Sequence, residues 1–158
     1  LTCLNDLGLC QKVSEGTKSK IIQFSSKGKE LWDKAADYLI DPVEKRVYCD
    51  YLATESTFAK CNINALSHYT WLNPENSLML MMSRKELQGL ITEKVLHNMN
   101  EFDGNIMIEV WKYPVVALLG NDNEWVDKLS LAISLREDDD PRVEGEVERL
   151  INEIEWKD

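Results

Sequence analysis

The spacing of hydrophobic positions changes several times along the chain. Leu1, Leu4 and Leu7 recur every three residues before Gly8, the pattern of a helix end. Two short apolar runs then flank the polar segment Ser14 to Lys20, with Gly16 where a hairpin turns through positive φ. The order predicted for this tip, through Phe24, is helix, strand, turn, strand. Leu31, Trp32, Ala35, Ala36 and Leu39 next share one face of a helix over Ser26 to Ile40. Asp41-Pro42 ends it, because the residue before a proline is pushed out of the helical region.

Strands and helices alternate beyond that joint. Lys45 to Leu52 is rich in strand formers, and the polar stretch Ala53 to Lys60 reads as a loop or a helix start. Asn62 to Leu72 has helical spacing, with Ile63, Leu66, Tyr69 and Thr70 to one side and Asn73-Pro74 as a stop. Leu78 to Met82 is apolar without alternation, which predicts a strand buried on both faces. Ser83 and Glu86 form a capping-box pattern for a helix from Arg84 to Val95. Asn105 to Tyr113 is the clearest strand: Ile106, Ile108, Val110 and Lys112 face one way, and Met107, Glu109 and Trp111 the other. Pro114 interrupts it, and Gly120-Asn121 turns the chain within Leu118 to Asp122. Asp127 caps a helix to about Leu135, with Leu129, Ala132 and Ile133 inward. In the last helix Asp140 is the N-cap and Pro141 the first residue, and Val143, Val147, Leu150, Ile151 and Ile154 form a stripe opposite a glutamate-rich face. The prediction is an α+β chain: a partial winged helix, consisting of the recognition-helix end plus a wing hairpin, followed by a mixed α/β domain. Residues 1–42 hold the winged-helix remnant and its following helix, and residues 43–158 the α+β domain.

Charge sharpens this division. Residues 1–60 carry nine Lys/Arg and nine Asp/Glu, while residues 61–158 carry nine against nineteen, so the net charge of −10 is C-terminal. Between positions 12 and 29 the cations Lys12, Lys18, Lys20, Lys27 and Lys29 face only Glu15. A local excess of this kind is what phosphate binding requires, since affinity comes from the few cations that displace counterions. Lys12, Lys18, Lys20 and Lys27 are therefore the candidate DNA-contacting residues, with Lys18 and Lys20 on one face of the returning strand.

Length and composition exclude other classes. A chain of 158 residues with 44% hydrophobic content can bury a core as one domain, or as a small module joined to a larger one. No apolar run approaches the roughly 20 residues of a membrane helix, and no secretory signal is visible, so the expectation is a cytoplasmic protein without a membrane partner. Leu1 in place of methionine, in apparent mid-helix, leads to the expectation that further chain precedes it. Cys3, Cys10, Cys49 and Cys61 contain no CxxC pair and have only His68 and His97 for company, so buried thiols are expected rather than a metal centre.

Catalytic readings are weaker than structural ones. Glu137-Asp138-Asp139-Asp140 resembles a metal site, but consecutive acids before Pro141 also suit the positive end of a helix. Glu109 and Lys112 are three apart in a strand and so face opposite ways, against a shared nuclease site. Ser67, His68 and Tyr69 are adjacent on a helix and do not face one another, and a partly buried, hydrogen-bonded His68 is expected. The seven glycines form no phosphate-cradling loop, and no nucleophile elbow is present. The expectation is a non-enzyme with no catalytic residue, metal or cofactor. Trp32, Trp71, Trp111, Trp125 and Trp156 are expected in core packing, and the Met-rich run 78–82 either there or lining an adaptable surface.

Leu4-Asn5-Asp6-Leu7-Gly8-Leu9 and the hairpin from Lys12 to Phe24 resemble the recognition-helix end and wing of bacterial winged-helix regulators of the MarR type. Glu30-Leu31-Trp32, Asp41 to Tyr48, Ala65 to Thr70, and the tail from Val126-Asp127 through Ser130-Leu131 to Trp156 extend a likeness to bacterial regulators in which a winged helix precedes an α/β region. A weaker similarity runs to AbiEi-type antitoxins. The resemblance implies a transcriptional regulator of double-stranded DNA whose second domain forms a homodimer, senses a ligand or binds a protein. The alternative is an antitoxin-like interaction module using the acidic last helix. The upstream helices of the family have no counterpart in these residues, so no base-reading residue carries over.

Overall fold

A computed structural model describes residues 2–15, 19–113 and 124–156. Gly16, Lys18, Pro114 and the turn expected at 118–122 lie outside the described residues. The fold is mixed α+β, with six α-helices and three small sheets among the described residues. Two compact units are present: Leu1–Ile40 with Ile154–Asp158, and Asp41–Glu153.

The first unit begins with α1 (Thr2–Asp6), which stops at Gly8 with φ of 69°. Leu9 N–H donates to Leu4 O at 3.0 Å across this left-handed stop, and the chain turns directly into a strand. β1 (Cys10–Glu15) and β2 (Ser19–Phe24) pair antiparallel from Cys10 opposite Phe24 to Glu15 opposite Ser19. Ser25 closes the base of the hairpin by donating its N–H and Oγ to Leu9 O at 2.9 and 3.2 Å.

α2 covers only Gly28–Ala35 and tightens into a 3₁₀ turn at Ala36–Tyr38, so the single helix expected to Ile40 is not formed. Leu39 is already extended, and the Asp41 side chain accepts from Val43 N–H at 2.8 Å to shape the turn before the next strand. Trp32 packs against Trp156, ring centroids 6.2 Å apart.

The second unit is built on β3 (Val43–Cys49), β5 (Leu78–Ser83) and β7 (Ile106–Trp111) in the order β3-β7-β5. β7 is central, antiparallel to β3 and parallel to β5. Both edges are covered by backbone. Tyr48 exchanges hydrogen bonds with Asn100 at 2.8 and 2.9 Å, and on the other side Cys61 N–H reaches Met79 O at 3.0 Å while Met81 N–H reaches Ala59 O at 2.8 Å. Lys60 in turn bridges to Glu124 and Val126, so the end of the segment expected as a loop serves as a short added strand.

Period-two alternation sends the two faces of β7 into two cores. Met107 and Trp111 join Cys61, Ile63, Leu66, Val126, Leu131, Val143 and Leu150, contributed largely by α3 (Asn62–Tyr69), α5 (Lys128–Ser134) and α6 (Pro141–Asn152). Ile108 and Val110 join Val47, Leu80, Met82, Leu87 and Leu90, the last two from α4 (Arg84–Glu93). The Met-rich strand is thus core, with Met82 fully buried. Gly104 admits this arrangement at the entrance to β7: a Cβ there would lie 2.7 Å from Cys49 O.

Several boundaries shift from the periodic reading. β3 ends at Cys49; Tyr51–Leu52 form a separate strand, β4, paired with β6 (Leu96–His97). α3 stops at Tyr69 where Thr70 becomes extended, and α4 stops where Lys94 adopts φ of 57°. Ala132 and Ile133 are buried as expected, but Leu131 and, just past the helix, Leu135 pack more deeply than Leu129, because the inward face of α5 is set by α3 and α6 beside it. α6 ends at Asn152, and Ile154 belongs to the first unit rather than to the stripe of the last helix. The expected caps are present: Ser83 and Glu86 form a reciprocal capping box, Asp127 accepts from Ser130 N–H, and Asp140 accepts from Arg142 N–H.

Candidate functional site

Two of the four predicted contact residues are placed on the strands of the hairpin. Lys12 lies opposite Ile22 and Lys20 opposite Ser14, two ladder positions apart. Lys18 lies outside the described residues. Lys27 is exposed at the N-cap of α2, beyond the Cys10–Phe24 end of the ribbon, and so is remote along the chain from the turn that Lys20 approaches. Val13, Ile21, Ile22 and Phe24 are 38–49% exposed, leaving apolar side chains uncovered on this ribbon. The electrostatic setting is local: residues 1–40 and 154–158 carry seven Lys/Arg and seven Asp/Glu, whereas residues 41–153 carry eleven and twenty-one.

The second unit contains one charged side chain that periodicity placed inward without a role. Glu109 is fully buried in the central strand. Its Oε1 accepts from Arg46 Nε at 3.0 Å and Asn62 Nδ2 at 2.8 Å, and its Oε2 accepts from Trp111 Nε1 at 3.1 Å. Each donor comes from a position the fold dictates: Arg46 lies opposite Glu109 on β3, Trp111 is two residues along β7, and Asn62 opens α3 with φ of 52°. Asn62 also accepts from Ile63 N–H through Oδ1 at 2.8 Å, which fits asparagine to this left-handed position. Cys61 is fully buried beside the carboxylate, and burial, followed by the Glu109 charge, pushes its thiol well above the ordinary range. A protonated thiol shut from solvent is a poor nucleophile, and three donors hold the carboxylate. This arrangement ties β3, β7 and the start of α3 together.

A charge at an inward strand position between Met107 and Trp111 was the available signal, because an inward carboxylate requires partners. The identity of the partners was not readable, since Arg46 and Asn62 are 63 and 47 positions away.

The other candidates resolve into packing or remain dispersed. Lys112 lies past the end of β7 and donates through Nζ to Asp41 O at 2.9 Å, apart from Glu109. Among 137–140, Asp140 caps α6 and pairs with Arg142 at 2.6 Å, and the guanidinium beside it holds the Asp140 carboxyl below the usual range. No group of three or more His, Cys, Asp or Glu side chains that could hold a metal occurs among the described residues. His68 is exposed and stacked on Trp125 at 4.1 Å with an interplanar angle of 2°, rather than partly buried, because it faces away from the sheet that the Ile63–Leu66 side of α3 covers. Cys10, Cys49 and Cys61 are buried free thiols. Trp71 departs from the expected core role: it is 80% exposed in the turn after α3, since the helix ends before the chain has returned to the sheet. No helix among the described residues is long and apolar enough to cross a membrane. Comparison with family models, curated proteins and solved structures finds no match to this chain.

Proposed function

We propose that this chain is part of a winged-helix DNA-binding regulator of the MarR-like type suggested by its N-terminal residues. In this reading Lys12, Lys18, Lys20 and Lys27 contact phosphates of double-stranded DNA, and the acidic second unit forms a homodimer or senses a ligand or protein. The observation that carries it is the antiparallel pairing of Cys10–Glu15 with Ser19–Phe24 immediately after a helix stopped at Gly8, in a segment with a local cation excess. Helix, stop and ribbon are the order of a recognition-helix end and wing. Segregating the net negative charge into the other unit leaves the ribbon electrostatically suited to a polyanion.

The test is binding of the 158-residue chain to random-sequence duplex DNA across a salt series. Affinity should fall with rising salt, and replacing Lys18 and Lys20 together by glutamate should lower the logarithmic salt slope by about one per phosphate contact removed. A salt-independent response, or an unchanged slope in that variant, would remove the DNA reading.

A further inference from the structure

Independently of the hairpin, the second unit carries a groove of 630 Å³ between the turn after α3 and the first half of α6. Trp71 stands on one wall, 80% exposed, and Glu75 follows it; Asp140, Arg142 and Glu146 stand on the other, with Val143 at the base. An indole this exposed in a unit otherwise well packed is unusual, because burying its large apolar surface is favourable.

The wall opposite pairs its charges unevenly. Asp140 and Arg142 neutralise each other at 2.6 Å. Glu146 is 23% exposed, and its Oε1 has only a loose pairing with Arg149 Nη1 at 3.9 Å, while Arg149 makes its close bond to Glu153 at 2.9 Å. Among the described residues no donor reaches Glu146 Oε2, which is shut from solvent. A carboxylate oxygen deprived of both water and donor gains strongly when a cation arrives. The protein also shows that this indole accepts a guanidinium: the Arg149 Cζ atom lies 6.0 Å from the Trp71 ring centroid.

We propose that this groove docks a basic peptide segment of a partner protein, with an arginine or lysine side chain laid on Trp71 and paired with Glu146 and Glu75. Charge complementarity selects the occupant. The second unit carries eleven Lys/Arg against twenty-one Asp/Glu, so it attracts basic chains and repels nucleic acid. The Glu146 side chain turns from its closed position into the groove it lines, exchanging a loose internal partner for a close external one.

The experiment is fluorescence anisotropy of a short labelled Arg-Gly peptide titrated with the full chain at low salt, with a Glu-Gly peptide for comparison. The basic peptide should bind saturably and the acidic one should not. Trp71→Ala and Glu146→Gln should each weaken binding by about tenfold. Glu137→Gln, an equal charge change in the acidic loop outside the groove, should alter it by less than about twofold. Because Trp71 is exposed, its variant should keep the native circular dichroism spectrum, which separates lost binding from lost folding. Equal losses in all three variants would show attraction to general acidity and overturn the groove, as would absence of binding by the unaltered chain. Displacement of the peptide by an equal concentration of spermidine would assign the site to small polycations and overturn the peptide reading.

Discussion

The two units solve the problem of a β-structure in opposite ways. In the second, the three strands have helices on both faces and paired backbone on both edges, and even the buried carboxylate of Glu109 is supplied with donors. In the first, the two-stranded ribbon leaves Val13, Ile21, Ile22 and Phe24 between 38% and 49% exposed. An isolated two-stranded hairpin is at best marginally stable in water, whereas a sheet with covered faces holds itself. The difference separates a sheet covered on both faces from a ribbon whose apolar side chains lie open. It also separates charge, for the second unit holds the whole excess of acid.

The largest test of this contrast is Glu109→Ala. It leaves the Asn62 amide and the Trp111 indole N–H without an acceptor in a closed core, and the expected loss is about 3–5 kcal/mol. Arg46 is 43% exposed and can turn to water, which favours the lower end. Chemical denaturation followed by circular dichroism should show an earlier midpoint with an unchanged slope. A loss below about 1 kcal/mol would mean that the network is not what holds this strand in place.

A smaller effect concerns Cys61. Its thiol is raised in the folded state, so its contribution is complete below the unfolded thiol pKa of about 8.5 and fades as pH rises past it. The melting temperature should therefore fall between neutral and alkaline pH less steeply in Cys61→Ala than in the parent. Identical pH slopes would show that the thiol is not the responsible group. The smallest effect is expected in the hairpin. Ile22→Ser should alter thermal stability by no more than about 0.5 kcal/mol, as for other exposed positions. A larger loss would show that the ribbon is already covered, and the comparison between the units would collapse.

Much of the local structure was legible because its causes are local. Ser83 with Glu86, Asp127, and Asp140 with Pro141 each start a helix through donors one turn away, and all three caps form. Gly8 stops α1 in the left-handed region that glycine adopts readily. Alternation in β7 likewise sorted Ile108 and Val110 from Met107, Glu109 and Trp111 before any partner was known. The shortened α2 and α3 and the exposed Trp71 were not legible, because where a helix ends and what a turn residue touches depend on the path the chain takes to the next strand.

By itself, the sequence determined the type of the longer helices and strands, where most helices start, and that cations gather at one end and acids at the other. These follow from side-chain period, capping chemistry and composition, each acting within a few residues. Only the tertiary structure decided that Arg46 and Asn62 meet Glu109, that Lys60 bridges between strand-like segments, and that Trp71 faces Glu146 across a groove. Those pairings join residues tens of positions apart. They exist because burying two apolar faces of one sheet forces distant segments together, and no local pattern records which ones.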